Sequence, residues 1–322
     1  MKTNDYLYAV AAIRANESAL LKEADLEQLI NAPDYKKATE MLADKGYELP
    51  DGTDYSSMLD KELEKTWELV NKSAPDADGL KALAVKNDFQ NLKAILKAEV
   101  MGEDAKSFLV TPSVIDTDEL YEKISQRRFE ELPDFMADAA KKAYDTIAKT
   151  GNGQLCDIIV DEAALKAMCA LAKSSGEELI EEYAQTFCLA ADIKCAYRCA
   201  KTNKGRAFME SAVCECDKVN KQGLIEAALE GEEALLDFLK SNGLADYAQA
   251  LENGTSAFEK LCDDRVLDIM KKAKFTAFGL SPISAFFVAK ETELKCLRII
   301  LSAKLSNASN DVIRERMREL YV

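Results

Sequence analysis

The chain has 322 residues, enough for two or three compact units. Its 48% hydrophobic and 31% charged residues are the balance of a globular chain, not a disordered one. A net charge of −15 argues against a nucleic-acid binder, which needs clustered Lys and Arg, and disfavours adsorption to anionic lipid. The sequence contains no histidine, which removes Ser-His and Cys-His nucleophile activation, histidine general bases and nearly every catalytic zinc site. Carboxylate or lysine chemistry stays open.

With only 13 glycines and 6 prolines, the chain favours long helices over a turn-rich β architecture. At the N-terminus the apolar stretch Tyr6 to Ile13 is too short for a signal peptide and runs into Arg14. Helical spacing then recurs at Leu26 and Ile30, at Leu120 and Ile124, and at Leu235, Phe238 and Leu239. Breaks are expected at Pro50 to Thr53, Met101 to Asp116, Thr150 to Gly153, and Asn242-Gly243. A short strand signal stands at Ile158-Ile159-Val160. Gly151-Asn152-Gly153 before it reads as a linker, because a phosphate loop needs more glycine and a following Lys. There is no Walker motif, so nucleotide hydrolysis by this chain is not expected.

The longest uncharged run, Phe275 to Ala289, contains Gly279 and Pro282 and falls short of the roughly 20 residues needed to span a bilayer. Its aromatics, like the single Trp67, read as core. Farther on, Leu294, Leu297, Leu301 and Leu305 form an apolar stripe, supported by Glu291 and Lys295 four apart. Asn310 or Asp311 stands where the cap of a last helix belongs. The alternating charges Arg314 to Glu319 on that helix suit intramolecular pairing, with Glu291 or Glu293 as partners. The expected fold class is all-α.

Nine cysteines, all beyond residue 150, lack the regular spacing of a disulfide framework and fit reduced thiols of a cytosolic protein. Cys195, Cys199, Cys214 and Cys216 would together offer four thiolates to a tetrahedral metal. The second pair is C-x-C, however, and small apolar core residues are the plainer reading; no metal and no cofactor is expected. Between Asn220 and Arg265 acidic residues outnumber basic ones, and Glu230, Glu232 and Glu233 are the densest cluster. Such a cluster is commonly a solvated helix face; its functional reading is an acidic rim meeting a basic partner.

The most informative pattern is an internal repeat. Asn91-Leu92-Lys93-Ala94-Ile95, Asp192-Ile193-Lys194-Cys195-Ala196 and Glu293-Leu294-Lys295-Cys296-Leu297 follow one another at a constant offset of 101 residues. Each presents a polar or acidic residue, an aliphatic, Lys and a small residue. The stretches Leu26 to Tyr47, Leu120 to Met136 and Leu224 to Leu244 each resemble a helix–turn–helix, and the first and third close alike, in Lys45-Gly46-Tyr47 and Asn242-Gly243-Leu244. Three helical repeat domains follow as the expectation, at residues 1–112, 113–216 and 217–322.

Over essentially its whole length the chain resembles the C subunit of the V/A-type rotary ATPases, known as the d subunit in vacuolar enzymes. The residues that carry the resemblance are Tyr6 to Arg14 with Glu17 and Leu20-Leu21; Phe89-Gln90-Asn91-Leu92-Lys93; and, most of all, Gly279, Pro282, Ala289 to Leu294, Arg298 to Leu301 and Ile313 to Val322. Phe286-Phe287 and the cysteine enrichment depart from the family pattern. The resemblance implies three similar helical domains around a pseudo-threefold axis, funnel-shaped, with no catalytic residues. It further implies a peripheral position on the cytoplasmic face of a membrane complex, between the subunits of the central shaft and the membrane proteolipid ring. A protein in that position couples rotation to proton or Na⁺ transport. On the residues alone, two alternatives stand beside it: an all-helical protein-binding scaffold unrelated to rotary motors, and a carboxylate- or lysine-dependent enzyme with a site between domains.

Overall fold

A computed structural model describes residues 2–75 and 77–322, with side chains from residue 6 onward. Among the described residues every regular element is helical, and the one β-type contact is an isolated bridge between Cys216 and Val219. The all-α expectation therefore holds. Ile158 to Val160 is not a strand: it lies inside a 23-residue helix, Gly153–Ser175, where Ala, Leu, Lys and Met neighbours favour helix over a three-residue β preference.

The chain forms two compact units, one made of residues 1–77 and 250–322 and the other of residues 78–249. The first contains α1 (Lys2–Glu17), α2 (Glu23–Ile30), α3 (Tyr35–Asp44) and α4 (Tyr55–Ser73), together with α14 (Thr255–Lys271), α15 (Ser281–Leu305) and α16 (Asn310–Arg316). The second contains α5 (Lys81–Met101), α6 (Thr117–Ser125), α7 (Asp134–Thr150), α8 (Gly153–Ser175), α9 (Glu178–Lys201), α10 (Arg206–Ala212), α11 (Lys221–Glu230) and α12 (Glu232–Ser241). The unit boundary in sequence falls within α13 (Ala245–Glu252).

In the first unit α15 is the central element. It packs against α4, α14, α1, α2, α3 and α16, and a helix surrounded in this way must be apolar on nearly every face. The stripe read from the sequence is its buried side: Leu294, Leu297 and Leu301 are in the core with Ile300, against Leu26, Ile30, Leu42 and Leu59. Only Leu305, at the end of the helix, emerges. Trp67 stacks edge-on against Phe287, ring centroids 5.0 Å apart. The aromatic run divides, because Phe286 and Phe287 are buried whereas Phe275 is 94% exposed and Phe278 half-exposed. In the second unit α8 packs on α5, α7 and α9, and α9 continues to α11 and α12.

Expected breaks coincide with helix ends, and the caps explain them. Asp34 accepts from Lys37 N–H at 2.7 Å to start α3, and Asn152 accepts from Gln154 and Leu155 to start α8. The last helix is capped by Ser309 rather than Asn310 or Asp311. Both matching turns, Lys45-Gly46-Tyr47 and Asn242-Gly243-Leu244, place glycine at positive φ. In each, the next residue's N–H reaches back five positions, Tyr47 to Leu42 and Leu244 to Leu239, the Schellman closure.

The long helices α5, α9 and α15 terminate by that same closure. Gly102, Asn203 and Asn307 adopt positive φ. Glu103, Lys204 and Ala308 then donate to Ala98, Cys199 and Ala303 at 2.9, 3.0 and 2.9 Å. Asn replaces Gly twice because its short polar side chain tolerates the left-handed region better than other residues.

Candidate functional site

The three repeat positions 91, 192 and 293 are polar, and each is fully buried or nearly so. A buried polar side chain needs partners, and all three find the same kind: the backbone N–H of a connecting segment. Asn91 on α5 accepts from Val110 N–H at 2.7 Å and donates to Val110 O at 3.0 Å. Asp192 on α9 accepts from Cys214 N–H at 2.8 Å. Glu293 on α15 accepts from Leu21 N–H at 2.5 Å. Each segment so held leads into a short helix, Val110 ahead of α6, Cys214 ahead of α11 and Leu21 ahead of α2; α2 and α11 are each followed by a second short helix, α6 by a three-residue 3-10 turn and the long α7. The 101-residue offset is therefore a repeated structural device, in which a buried acceptor on a long helix staples the entry to a short helix.

Their surroundings differ. Glu293 also receives the Tyr47 hydroxyl and the Lys290 ammonium, the latter at 2.7 Å, while Lys290 reaches Glu62 at 3.5 Å. Burial beside these carboxylates pushes the Tyr47 phenol well above its ordinary range. On α5, one turn before Asn91, the buried Asp88 accepts from Val114 at 3.1 Å and from Ile115 at 2.8 Å. Desolvation raises Asp88 to about 6 and Asp192 to about 7, against the opposing effect of the backbone N–H groups they accept. Every one of these groups is committed to internal partners.

The acidic cluster lies at the junction of α11 and α12, where Gly231 takes φ +124°, a region open to glycine alone. Glu232 accepts from the Tyr197 hydroxyl at 2.7 Å and pairs with Lys201 at 3.4 Å, while Glu230 and Glu233 are exposed. Glu232 and Glu233 occupy the first turn of α12, where the helix dipole favours a carboxylate. Glu230 closes α11, where the dipole opposes it, so its place has no comparable structural account.

Other charges settle locally. Lys295 pairs with Asp263 at 2.7 Å. The C-terminal charges do pair within the chain: Arg314 with Glu27 and Asp311, Arg318 with Asp263, and Glu319 with Lys271. Arg14 pairs with Glu17 at 2.8 Å and caps the carbonyls of Ala273 and Thr276, which fixes the turn that carries the exposed Phe275.

The four cysteines considered for a metal separate. Cys195 and Cys199 lie one turn apart on α9, whereas Cys214 and Cys216 join Cys188 and Cys169 in a small cluster with Leu165 and Phe187. Among the described residues no group of three or more Cys, Asp or Glu is arranged to hold a metal ion, and no helix is long and apolar enough to cross a membrane. One open surface depression runs along α7 from Asp138 to Thr150, and another lies between Lys106 and α6 beside Tyr121.

A helical repeat with its polar groups turned inward defines a class of protein more than an activity; likeness to known proteins supplies the rest. Residues 9–316 match the ATP synthase (C/AC39) subunit family. The C subunit of the V-type sodium ATPase of Enterococcus hirae is 26% identical over 321 residues, covering 96% of this chain and 97% of that protein. The C subunit of the A-type ATP synthase of Methanocaldococcus jannaschii is 24% identical, covering 98% and 86%. The chain belongs to the C/AC39 subunit family of V/A-type ATPases. Membership sets aside the unrelated-scaffold reading, and the family is one of accessory subunits.

Proposed function

We propose that this chain is the non-catalytic rotor component that couples the central shaft of a V/A-type rotary ATPase to its membrane proteolipid ring. It carries torque for ATP-driven ion pumping or for ATP synthesis, as a peripheral protein on the cytoplasmic face. Its three similar domains, at 1–112, 113–216 and 217–322, stand around a pseudo-threefold axis as a funnel.

The observation that carries this reading is the repeated staple at Asn91, Asp192 and Glu293, together with the repeated closure of α5, α9 and α15. Helix packing repeats as well: α8 lies on α5 in one unit as α4 lies on α15 in the other. A ring of identical subunits presents one surface many times, and a repeated adaptor meets it through several quasi-equivalent contacts, raising avidity without one strong site. Close-packed helices tied by buried polar bonds resist shear, which torque transfer demands. Glu230, Glu232 and Glu233 supply a partner-facing surface in this reading.

The test is affinity purification of the tagged chain from its native membranes. Nucleotide-binding subunits and the proteolipid should come with it in fixed proportion. Recovery of the chain alone would refute the proposal.

A further inference from the structure

The thiol cluster of the second unit has no part in the rotor reading, and its geometry is unusual for core filler. Cys188, on α9, is fully buried and clusters with Cys214 and Leu165, with Cys169 and Cys216 packed against them. Cys214 is buried. Cys216 is half-exposed, on the segment that links α10 to α11 through the Cys216–Val219 bridge. In its protonated form it donates to Gln185 O at 3.4 Å, so its sulfur lies against α9 while Glu215, Asp217 and Lys218 beside it are in solvent.

We infer that Cys216 and Cys188 are a thiol-modification site, at which Cys216 reacts with a low-molecular-weight disulfide and Cys188 resolves the product to an internal Cys188–Cys216 disulfide.

The two thiols have different environments, as such a pair requires. The accessible one is the better nucleophile: hydrogen bonding from Cys188 draws the Cys216 thiol down to about 7 against its partial burial, and the Lys218 N–H adds to this. Cys188 is the opposite, pushed up by the three thiols around it and by burial. Charged groups facing the pair are Asp192 on the same helix as Cys188, Lys166 on α8, Glu215, Asp217 and Lys218 on the segment, and Lys221 at the start of α11.

In the first step the Cys216 thiolate attacks one sulfur of the disulfide RSSR; a new S–S bond forms, the old one breaks, and one RS⁻ leaves. In the second step Cys188 gives its proton to the Asp192 carboxylate, whose Oδ2 lies 3.7 Å from its sulfur. Cys188 then attacks the Cys216 sulfur and expels a second RS⁻. Two protein thiols lose two electrons in all and RSSR gains them; Asp192 returns the Cys188 proton to the second RS⁻, and the proton that Cys216 released to solvent ends on the first, giving two RSH. Cys169, the other half-exposed thiol, is on the rigid helix α8, whereas Cys216 is on a connecting segment able to adjust to disulfide geometry. The bond would make covalent the staple that Asp192 and Cys214 form by a hydrogen bond. The inference does not depend on the rotor reading.

The test takes the full, reduced chain with glutathione disulfide as the probe, followed by thiol counting and peptide mapping without reductant. The nine thiols should fall by two and a 188–216 linked peptide should appear, both reversed by dithiothreitol. Cys188→Ser should halt the reaction at a mixed disulfide on Cys216. Cys216→Ser, at a half-exposed position that leaves folding intact, should slow thiol loss at least tenfold. A 169–188 linkage, an undiminished rate in Cys216→Ser, or thiols that resist the probe because a bound metal must first be chelated would each overturn the inference.

Discussion

Glu293 and Leu21 are 272 positions apart, yet the Leu21 N–H donates directly to the Glu293 carboxylate inside the core of the first unit. The bond joins the segment between α1 and α2 to the central helix α15. The same carboxylate gathers the Tyr47 hydroxyl and the Lys290 ammonium, so one side chain holds three elements at once.

Removing that side chain leaves a buried N–H and a buried hydroxyl without their acceptor, and leaves the Lys290 ammonium only the longer contacts to Glu62 at 3.5 Å and the Tyr47 hydroxyl at 3.3 Å. Glu293→Ala is expected to lower unfolding free energy by about 3–5 kcal/mol, read from urea denaturation. Glu293→Gln keeps an acceptor and should lose clearly less. A loss under about 1 kcal/mol in the alanine variant would show that the staple is dispensable.

Asp192 gives a pH signature. Burial lifts it from 3.8 in the unfolded chain to about 7 in the fold. Between those values the folded chain holds a proton that the unfolded chain has released, so stability falls as pH rises through the window and levels off above it. Asp88, raised to about 6, acts the same way over a narrower window. Asp192→Asn should remove its share of the fall, each pK unit being worth about 1.4 kcal/mol. The variant should fold normally, since Asn91 already fills the equivalent position and bonds its segment through both amide atoms. Denaturation at pH 5 and pH 8 checks this: the variant should gain on the wild type at the higher pH, and a constant difference would contradict the assignment.

Gly223 sets two effects against each other. In an exposed helix Gly→Ala gains up to about 1 kcal/mol. Here an added Cβ would meet the Phe238 ring at 2.8 Å, where α11 crosses α12, and overpacking costs about 1–3 kcal/mol. Gly223→Ala should therefore lower the melting temperature; an unchanged or higher value would mean the ring gives way freely.

Reversing the exposed carboxylates probes the proposed acidic rim. Glu230→Lys with Glu233→Lys should leave the stability of the isolated chain within about 0.5 kcal/mol of wild type, as exposed charges usually do. In a reconstituted complex the double variant should assemble less tightly and with an altered salt dependence. Unchanged assembly at both low and moderate salt would rule the rim out as a partner surface.

Much of this molecule is legible in the sequence because helices repeat their apolar positions and end on a small set of residues. The stripe on α15, the breaks at Gly102 and Gly243, and the offset linking residues 91, 192 and 293 all follow from local rules. What those three polar residues accept was hidden: Val110, Cys214 and Leu21 carry no mark, since any residue supplies a backbone N–H. Asp88 resembled every other carboxylate for the same reason. The grouping of the cysteines was hidden: short spacing joins Cys195 with Cys199, whereas the packed cluster brings Cys188 together with Cys169 on the neighbouring helix. Phe275 read as core from its apolar surroundings; only the turn fixed by Arg14 turns it outward.

The central claim, coupling without catalysis, is tested most directly in membrane vesicles whose ATPase has been stripped of this chain and then given it back. Without the chain, ATP hydrolysis by the catalytic subunits should persist while ATP-driven ion transport is lost. Adding the purified chain should restore transport in proportion to the amount bound. Transport at the intact rate in its absence, or loss of hydrolysis by the isolated catalytic subunits when it is withheld, would contradict the claim.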